Sequence, residues 1–317
     1  MAKFRPLATA GCLALGIAAV VGWRIWAQSP APVNGPVPFT EADRAALPTA
    51  LQPLVPLHKP LGPPQSGDWL QAHAETPQNY KQFVASRPVR TTKERRVIWV
   101  QPLGDFNAEQ RKIVELSAEF LGIYYQLPVQ TAKEWPESVV PEKARRDNPL
   151  QGHPQIQSIY ILYDLLKPRV PQDAAALIAF TTTDLWPGEG WNFVFGQASL
   201  QDRVGVWSLY RFGDPSANEE VFRMVLRRTL KTAAHETGHM FSLPHCVYFE
   251  CCMNGSNNLP EADRQPLAVC PQCLAKLCYA TGADPKERFR KLIDFAAKHK
   301  LEEERALWER SLRKFEK

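Results

Sequence analysis

The sequence predicts an α+β fold: a mixed β-sheet with flanking helices, one of them long. Three observations carry this reading. Strand-like and helix-like segments alternate between residues 96 and 186. Two apolar runs then follow with only two residues between them, which forms an antiparallel hairpin. A capped periodic stretch from Ser216 to about Phe241 comes next, long enough for six or so helical turns.

The elements are justified in order. "RVIWVQPL" (96–103) is a β-branched and aromatic strand. Asn107 and Gln110 make a capping box for a helix whose Ile113, Leu116, Phe120 and Tyr124 form one apolar stripe. "IQSIYILYDLLK" (156–167) reads as a second amphipathic helix, and "AAALIAFTTTDLW" (174–186) as one buried strand. The hairpin comprises "NFVFGQASL" (192–200) and "RVGVWSLYRF" (203–212), and Ser216 with Glu219 opens the long helix. From Asp284 to Lys317, Asp-Pro and Glu287 are start signals for a C-terminal helix that packs on the domain through Phe289, Leu292, Ile293 and Ala296.

Ahead of this lie two segments of different character. Residues 1–27 place Lys3 and Arg5 before an apolar stretch from Leu7 to Trp23, the pattern of a signal peptide or an N-terminal membrane anchor. The basic end predicts an inside N terminus, hence a membrane-anchored or exported protein. Residues 28–67 are proline-rich and lack the donors of a sheet or long helix, so they read as a spacer with at most a short helix near "TEADRAAL". The main folded domain begins at residue 68 and runs to 283, with the C-terminal helix of 284–317 packed on it.

The chain has 317 residues, 44% of them apolar, which excludes disorder throughout. Its net charge of +5 is scattered, with no basic and aromatic stripe of the kind that tracks nucleic acid. Six of the seven cysteines lie between Cys246 and Cys278, a clustering that points to a local metal site. Cys12 is the seventh.

The chemistry concentrates in "HETGHMFSLPHCVYFECCM", residues 235–253. Residues four apart stand on one helix face, so His235 and His239 offer two imidazoles to one zinc ion. Glu236 is offset beside them, where its carboxylate reaches a metal-activated water as general base instead of ligating. His245 is the third ligand: six residues after His239 leave enough chain to end the helix and return, and Pro244 supports the ending. Glu250 has no such geometry and reads as a solvated surface charge. This chemistry is peptide-bond hydrolysis.

Cys246 and either Cys251 or Cys252, with Cys270 and Cys273 of "CPQC", match a closed four-cysteine structural zinc site. The count is therefore two zinc ions per chain. Cys278 and the unused member of the adjacent pair are left over, and in an oxidising compartment those two thiols would be free to pair.

These residues resemble the archaemetzincins, a branch of the metzincin zinc peptidases. The family pattern, HExxHxxGxxHC, four residues, CxM, about seventeen residues and CxxC, falls on His235, Glu236, His239, His245, Cys246, Cys251, Met253, Cys270 and Cys273. That register favours Cys251 as the ligand and implies that Met253 is the Met-turn residue beneath the zinc. The resemblance also implies a metzincin-like mixed sheet, whose edge strand within 192–200 would bind substrate as an added strand. Ser242 stands at the usual glycine, where a left-handed turn is expected at a cost of about 1–2 kcal/mol.

The sequence thus predicts a monomeric zinc metallopeptidase acting on peptides or proteins, with the membrane a partner through the N-terminal segment if it is uncleaved. The alternative is a catalytically weak zinc-binding scaffold or interaction protein.

Overall fold

The computed structural model describes residues 30–316. The expected signal or anchor, residues 1–27, lies outside them, as does Cys12. Among the described residues no helix is long and apolar enough to cross a membrane. The expectation of a membrane-anchored or exported protein is corrected accordingly: no described residue supports it.

The proline-rich stretch is not a free spacer. Its helix α1 (Glu41–Ala46) carries a Thr40–Asp43 capping box, and a 3₁₀ segment, Thr49–Leu57, follows it. Leu47, Leu51 and Leu54 are buried in the main core, each contributing about 1.5–3 kcal/mol. The backbone is stitched down as well. Val37 N–H donates to the Val247 carbonyl (2.8 Å), Leu61 N–H to Tyr248 (3.0 Å), and Glu250 N–H to Lys59 (2.9 Å). Residues 30–67 are a strap laid across the domain. Two short helices come next, α2 (Trp69–Ala72) and α3 (Tyr80–Ala85).

The five-stranded sheet begins with β1 (Val97–Leu103), from which α4 (Ala108–Tyr125) leads to β2 (Val129–Thr131). The Asn107–Gln110 box caps α4 through reciprocal bonds of 2.8 and 2.9 Å. Two short strands, β3 (Arg145–Asp147) and β4 (Pro154–Gln157), belong to a second sheet. The helix expected from 156 begins two residues later, because Gln155 to Gln157 pair with Asp184 to Trp186. A single turn, α5 (Ser158–Tyr160), then widens to a π-turn over Ile161–Leu166.

The buried strand expected over 174–186 divides into β5 (Ala174–Thr181) and β6 (Asp184–Trp186), which lie in different sheets. Thr181 Oγ1 accepts from Thr183 N–H and makes the turn between them. All eight residues of β5 are buried, as expected for the middle of a parallel sheet covered on both faces. The hairpin is β7 (Gly196–Ala198) against β8 (Val204–Ser208), antiparallel. Strand order is β2-β1-β5-β8-β7 in one sheet and β3-β4-β6 in the other. All pairings in the larger sheet are parallel except that of the edge strand β7.

Helix α6 (Glu219–Met240) is capped by Asn218, whose side chain accepts from Val221 N–H, in place of the expected Ser216. Its face of Val225, Leu226, Thr229, Leu230, Ala233 and Ala234 is buried. Tyr125 on α4 donates its hydroxyl to the Ala234 carbonyl across that interface (2.5 Å). Helices α7 (Leu259–Arg264) and α8 (Pro271–Thr281) complete the domain. The C-terminal stretch, expected as one helix, is two, α9 (Pro285–Lys298) and α10 (Glu302–Phe315), broken at left-handed Lys300. Phe289, Leu292, Phe295 and Trp308 bury them against the core.

Candidate metal centre

Helix α6 places His235 and His239 one turn apart, with their Nε2 atoms 2.9 Å from each other. The helix then ends in a Schellman motif. Leu243 N–H donates to the Gly238 carbonyl (3.0 Å) and Ser242 N–H to His239 (2.7 Å). Ser242 has φ of 64°, the left-handed value the turn requires. Its hydroxyl accepts from Val89 N–H (3.1 Å) and donates to the Leu200 carbonyl (2.9 Å), two anchors that glycine lacks. The reversed chain brings His245 back, its ring centroid 5.2 Å from His235 and 4.9 Å from His239.

One ligand atom from each of these three histidines lies within 4.8 Å of the others. The outer nitrogens are all engaged. His235 Nδ1 lies 2.8 Å from the Cys252 carbonyl, His239 Nδ1 2.7 Å from Leu243, and His245 Nδ1 2.5 Å from Glu75 Oε1. A carbonyl only accepts, so Nδ1 of His235 and His239 carries the hydrogen and Nε2 keeps its lone pair toward the centre. Burial pushes His235 well below the usual histidine range and His239 down to about 3. Both imidazoles are neutral donors at physiological pH, as a zinc site requires.

Glu236 is buried, and that burial lifts its carboxyl to about 8. It borders a cavity of about 620 Å³ that all three histidines also line, with Trp69, Trp191 and Phe195 among the walls. Gly196 of β7 backs Glu236 closely: a Cβ there would stand 2.9 Å from Glu236 Cγ. Glu250 is half-exposed and pairs with Lys59 Nζ at 2.5 Å.

A second cluster adjoins the first. Cys246, Cys251, Cys270 and Cys273 are buried, one sulfur from each within 4.8 Å of the rest. Cys251 and not Cys252 joins it; Cys252 and Cys278 are free thiols. Hydrogen bonds from Cys251, Cys270 and Cys273 hold the Cys246 thiol well below its ordinary range, whereas burial raises Cys251 and Cys270. Cys251 Sγ also accepts from the N–H groups of Met253 (3.4 Å) and Cys270 (3.2 Å). Four convergent sulfurs with N–H support suit a tetrahedral zinc with bonds of about 2.3 Å, and the three imidazoles suit one with bonds of about 2.0–2.1 Å. Met253 lies beneath α6: a Cβ on Gly238 would meet its sulfur at 2.6 Å.

The profile of Peptidase family M54 matches residues 170–278, a span that contains both clusters. Archaemetzincin-2 of Homo sapiens is 35% identical over 276 residues, covering 77% of this chain and 76% of its own length. The chain belongs to the archaemetzincin family. Archaemetzincin-1 of Homo sapiens is 29% identical over 291 residues, 80% of this chain and 57% of that protein. Among solved structures, the archaemetzincin of Methanopyrus kandleri is 27% identical with a TM-score of 0.49, covering 60% of this chain and 98% of its own. That of Archaeoglobus fulgidus, complexed with malonate, is 29% identical with a TM-score of 0.46, covering 57% and 99%. Archaemetzincins are zinc-dependent peptidases, and this chain is one of that class.

Two residues of this archaemetzincin's centre escape sequence reading. Glu75, 170 positions before His245, contacts it directly. Trp69 donates its indole N–H to Glu75 Oε1 at 2.7 Å. Neither carries a local signal, since nothing in "DWLQAHAET" repeats or matches a ligand spacing.

Proposed function

We propose that the chain hydrolyses peptide bonds with two zinc ions: a catalytic one held by His235, His239 and His245, and a structural one held by Cys246, Cys251, Cys270 and Cys273. The carrying observation is Glu236, a buried carboxylate beside three imidazoles on the wall of a shared cavity. The catalytic zinc, when bound, supplies a Lewis acid that acidifies water and polarises the scissile carbonyl.

The chain's own groups do the rest. Glu236 accepts a proton from the attacking water and returns it to the leaving amine. Its raised pKa suits both halves of that task, since a base that must also act as an acid works best near neutrality. The peptide lies along the outer edge of β7 as an added antiparallel strand, in the metzincin manner. Apolar walls from Trp191, Phe193 and Phe195 favour a hydrophobic side chain in the cavity. Met253 serves as the Met-turn residue, filling the floor under α6. The shared step from His245 to Cys246 lets the structural ion hold the third ligand in place, and the protein acts as a monomer.

The test is zinc content per chain for wild type and His239→Ala. Two ions falling to one supports separate sites. A single ion unaffected by His239→Ala would leave only the cysteine site filled and sink the peptidase reading. Glu236→Ala should keep both ions and lower peptide cleavage about 10²–10⁴-fold.

A further inference from the structure

The three imidazoles are held from outside in unlike ways. His235 and His239 sit on a helix, and each gives its Nδ1 hydrogen to a backbone carbonyl from the same region of chain, Cys252 and Leu243. His245 lies beyond the helix end in irregular chain. Helical geometry does not orient its ring. Its Nδ1 partner is instead a carboxylate, Glu75 Oε1, at 2.5 Å.

Glu75 is itself fixed from several sides. Its backbone exchanges two hydrogen bonds with Val33 of the strap (2.8 and 2.9 Å). Trp69 donates to the same Oε1 at 2.7 Å, and the Trp69 ring meets His245 edge-on, centroids 5.0 Å apart. Trp69 is pinned in turn, its N–H donating to the Glu261 carboxylate at 2.9 and 3.1 Å. Its ring fills the space above Gly255, where a Cβ would stand 2.5 Å from Trp69 Cδ1. A chain of contacts therefore runs from the strap, through Glu75 and Trp69, to the one histidine that lacks a helix.

We propose that Glu75 is a positioning residue for His245, held in place by the strap through Val33, so that the chain ahead of β1 completes the catalytic centre. An ionised carboxylate accepts only, so it fixes the hydrogen on His245 Nδ1 and leaves the Nε2 lone pair facing the other two imidazoles. It also makes the imidazole a more basic ligand than a carbonyl partner does. His245, least constrained by backbone, receives the strongest outer partner. This inference rests on the reading of the three histidines as a metal centre.

The experiment uses the full chain with zinc kept in the cysteine site and cobalt(II) titrated into the histidine site, reading affinity and visible spectrum. Glu75→Gln should weaken cobalt binding about 10-fold and Glu75→Ala up to about 100-fold, each with a shifted spectrum and one zinc retained. Trp69→Phe keeps an aromatic side chain but removes the indole donor, and should weaken binding by a smaller factor. Wild-type affinity and spectrum in Glu75→Gln overturns the proposal, and that near-isosteric variant decides the matter if Glu75→Ala fails to fold. His239→Ala separates the two levels of argument. If it binds cobalt as wild type does, the histidine centre itself is wrong and the proposal falls with it.

Discussion

Gly196 of the edge strand stands so close to Glu236 that a Cβ on it would lie 2.9 Å from Glu236 Cγ and 3.0 Å from Oε1. The same Cβ would stand 2.9 Å from the Cβ of Trp207, which is fully buried in the neighbouring strand. Trp207 has nowhere to go, so Gly196→Ala must move the Glu236 carboxylate. A misplacement near 1 Å costs about 10²-fold in rate. Gly196→Ala should therefore lower kcat about 10–100-fold with zinc content unchanged. Full activity would mean that Glu236 tolerates displacement and is not the proton-transfer group.

Ser242 separates backbone strain from side-chain anchoring. Its left-handed φ costs about 1–2 kcal/mol relative to glycine, while its two hydroxyl bonds return about 0.5–1.5 kcal/mol each. Ser242→Gly should thus be nearly neutral in Tm. Ser242→Ala keeps the strain and loses both bonds, and should be destabilised by about 1–3 kcal/mol. The order Ser ≈ Gly > Ala in thermal unfolding checks the account; alanine as stable as serine would refute it.

What the sequence made legible depends on range. His235 and His239 at i and i+4, the Asn107–Gln110 box and the two-residue gap of the hairpin are local, and each is found where local physics puts it. The helix from 156 differs at its start because Gln155 to Gln157 pair with β6, a partner distant in sequence, and the strand from 174 is broken by a local Thr181–Thr183 turn inside a run of β-branched residues. The strap is instructive. Pro53 and Pro56 argued for a spacer, yet Leu51, Leu54 and Leu57 recur at the three-residue period of the 3₁₀ helix they form. That signal was present beneath the prolines. Glu75 had none, since its role exists only after the strap has folded over His245.

Gly238 sits under opposing demands. Alanine would gain about 1 kcal/mol of helix propensity, but its Cβ would meet Met253 Sδ at 2.6 Å and Cε at 3.0 Å. Met253 is almost fully buried, so its flexible end has little room to withdraw. Overpacking costs about 1–3 kcal/mol, and the larger effect wins. Gly238→Ala should lower stability by up to about 2 kcal/mol. Combining it with Met253→Ala should cost less than the two losses added, because the clash goes with the sulfur. Additive losses in a double-mutant cycle would show that the two residues do not meet.

The raised carboxyl of Glu236 gives a pH test on chelator-stripped protein. Burial lifts it from an ordinary 4.5 to about 8, so between those values the native state holds a proton that the unfolded chain has released. The slope of unfolding free energy with pH is then negative: this group's contribution declines as pH rises from 4.5 to 8, by at most about 1.4 kcal/mol per unit. His235 and His239, lowered by burial, act in the opposite sense, reducing stability as pH falls below 6.5. Glu236→Gln leaves those histidines in place and removes only the carboxyl. The variant should gain on wild type steadily from pH 5 to pH 7.5 in denaturant unfolding. Parallel curves would mean that Glu236 is ionised in the native fold, already paired or hydrated, and its fitness to return a proton to the leaving amine would need another source.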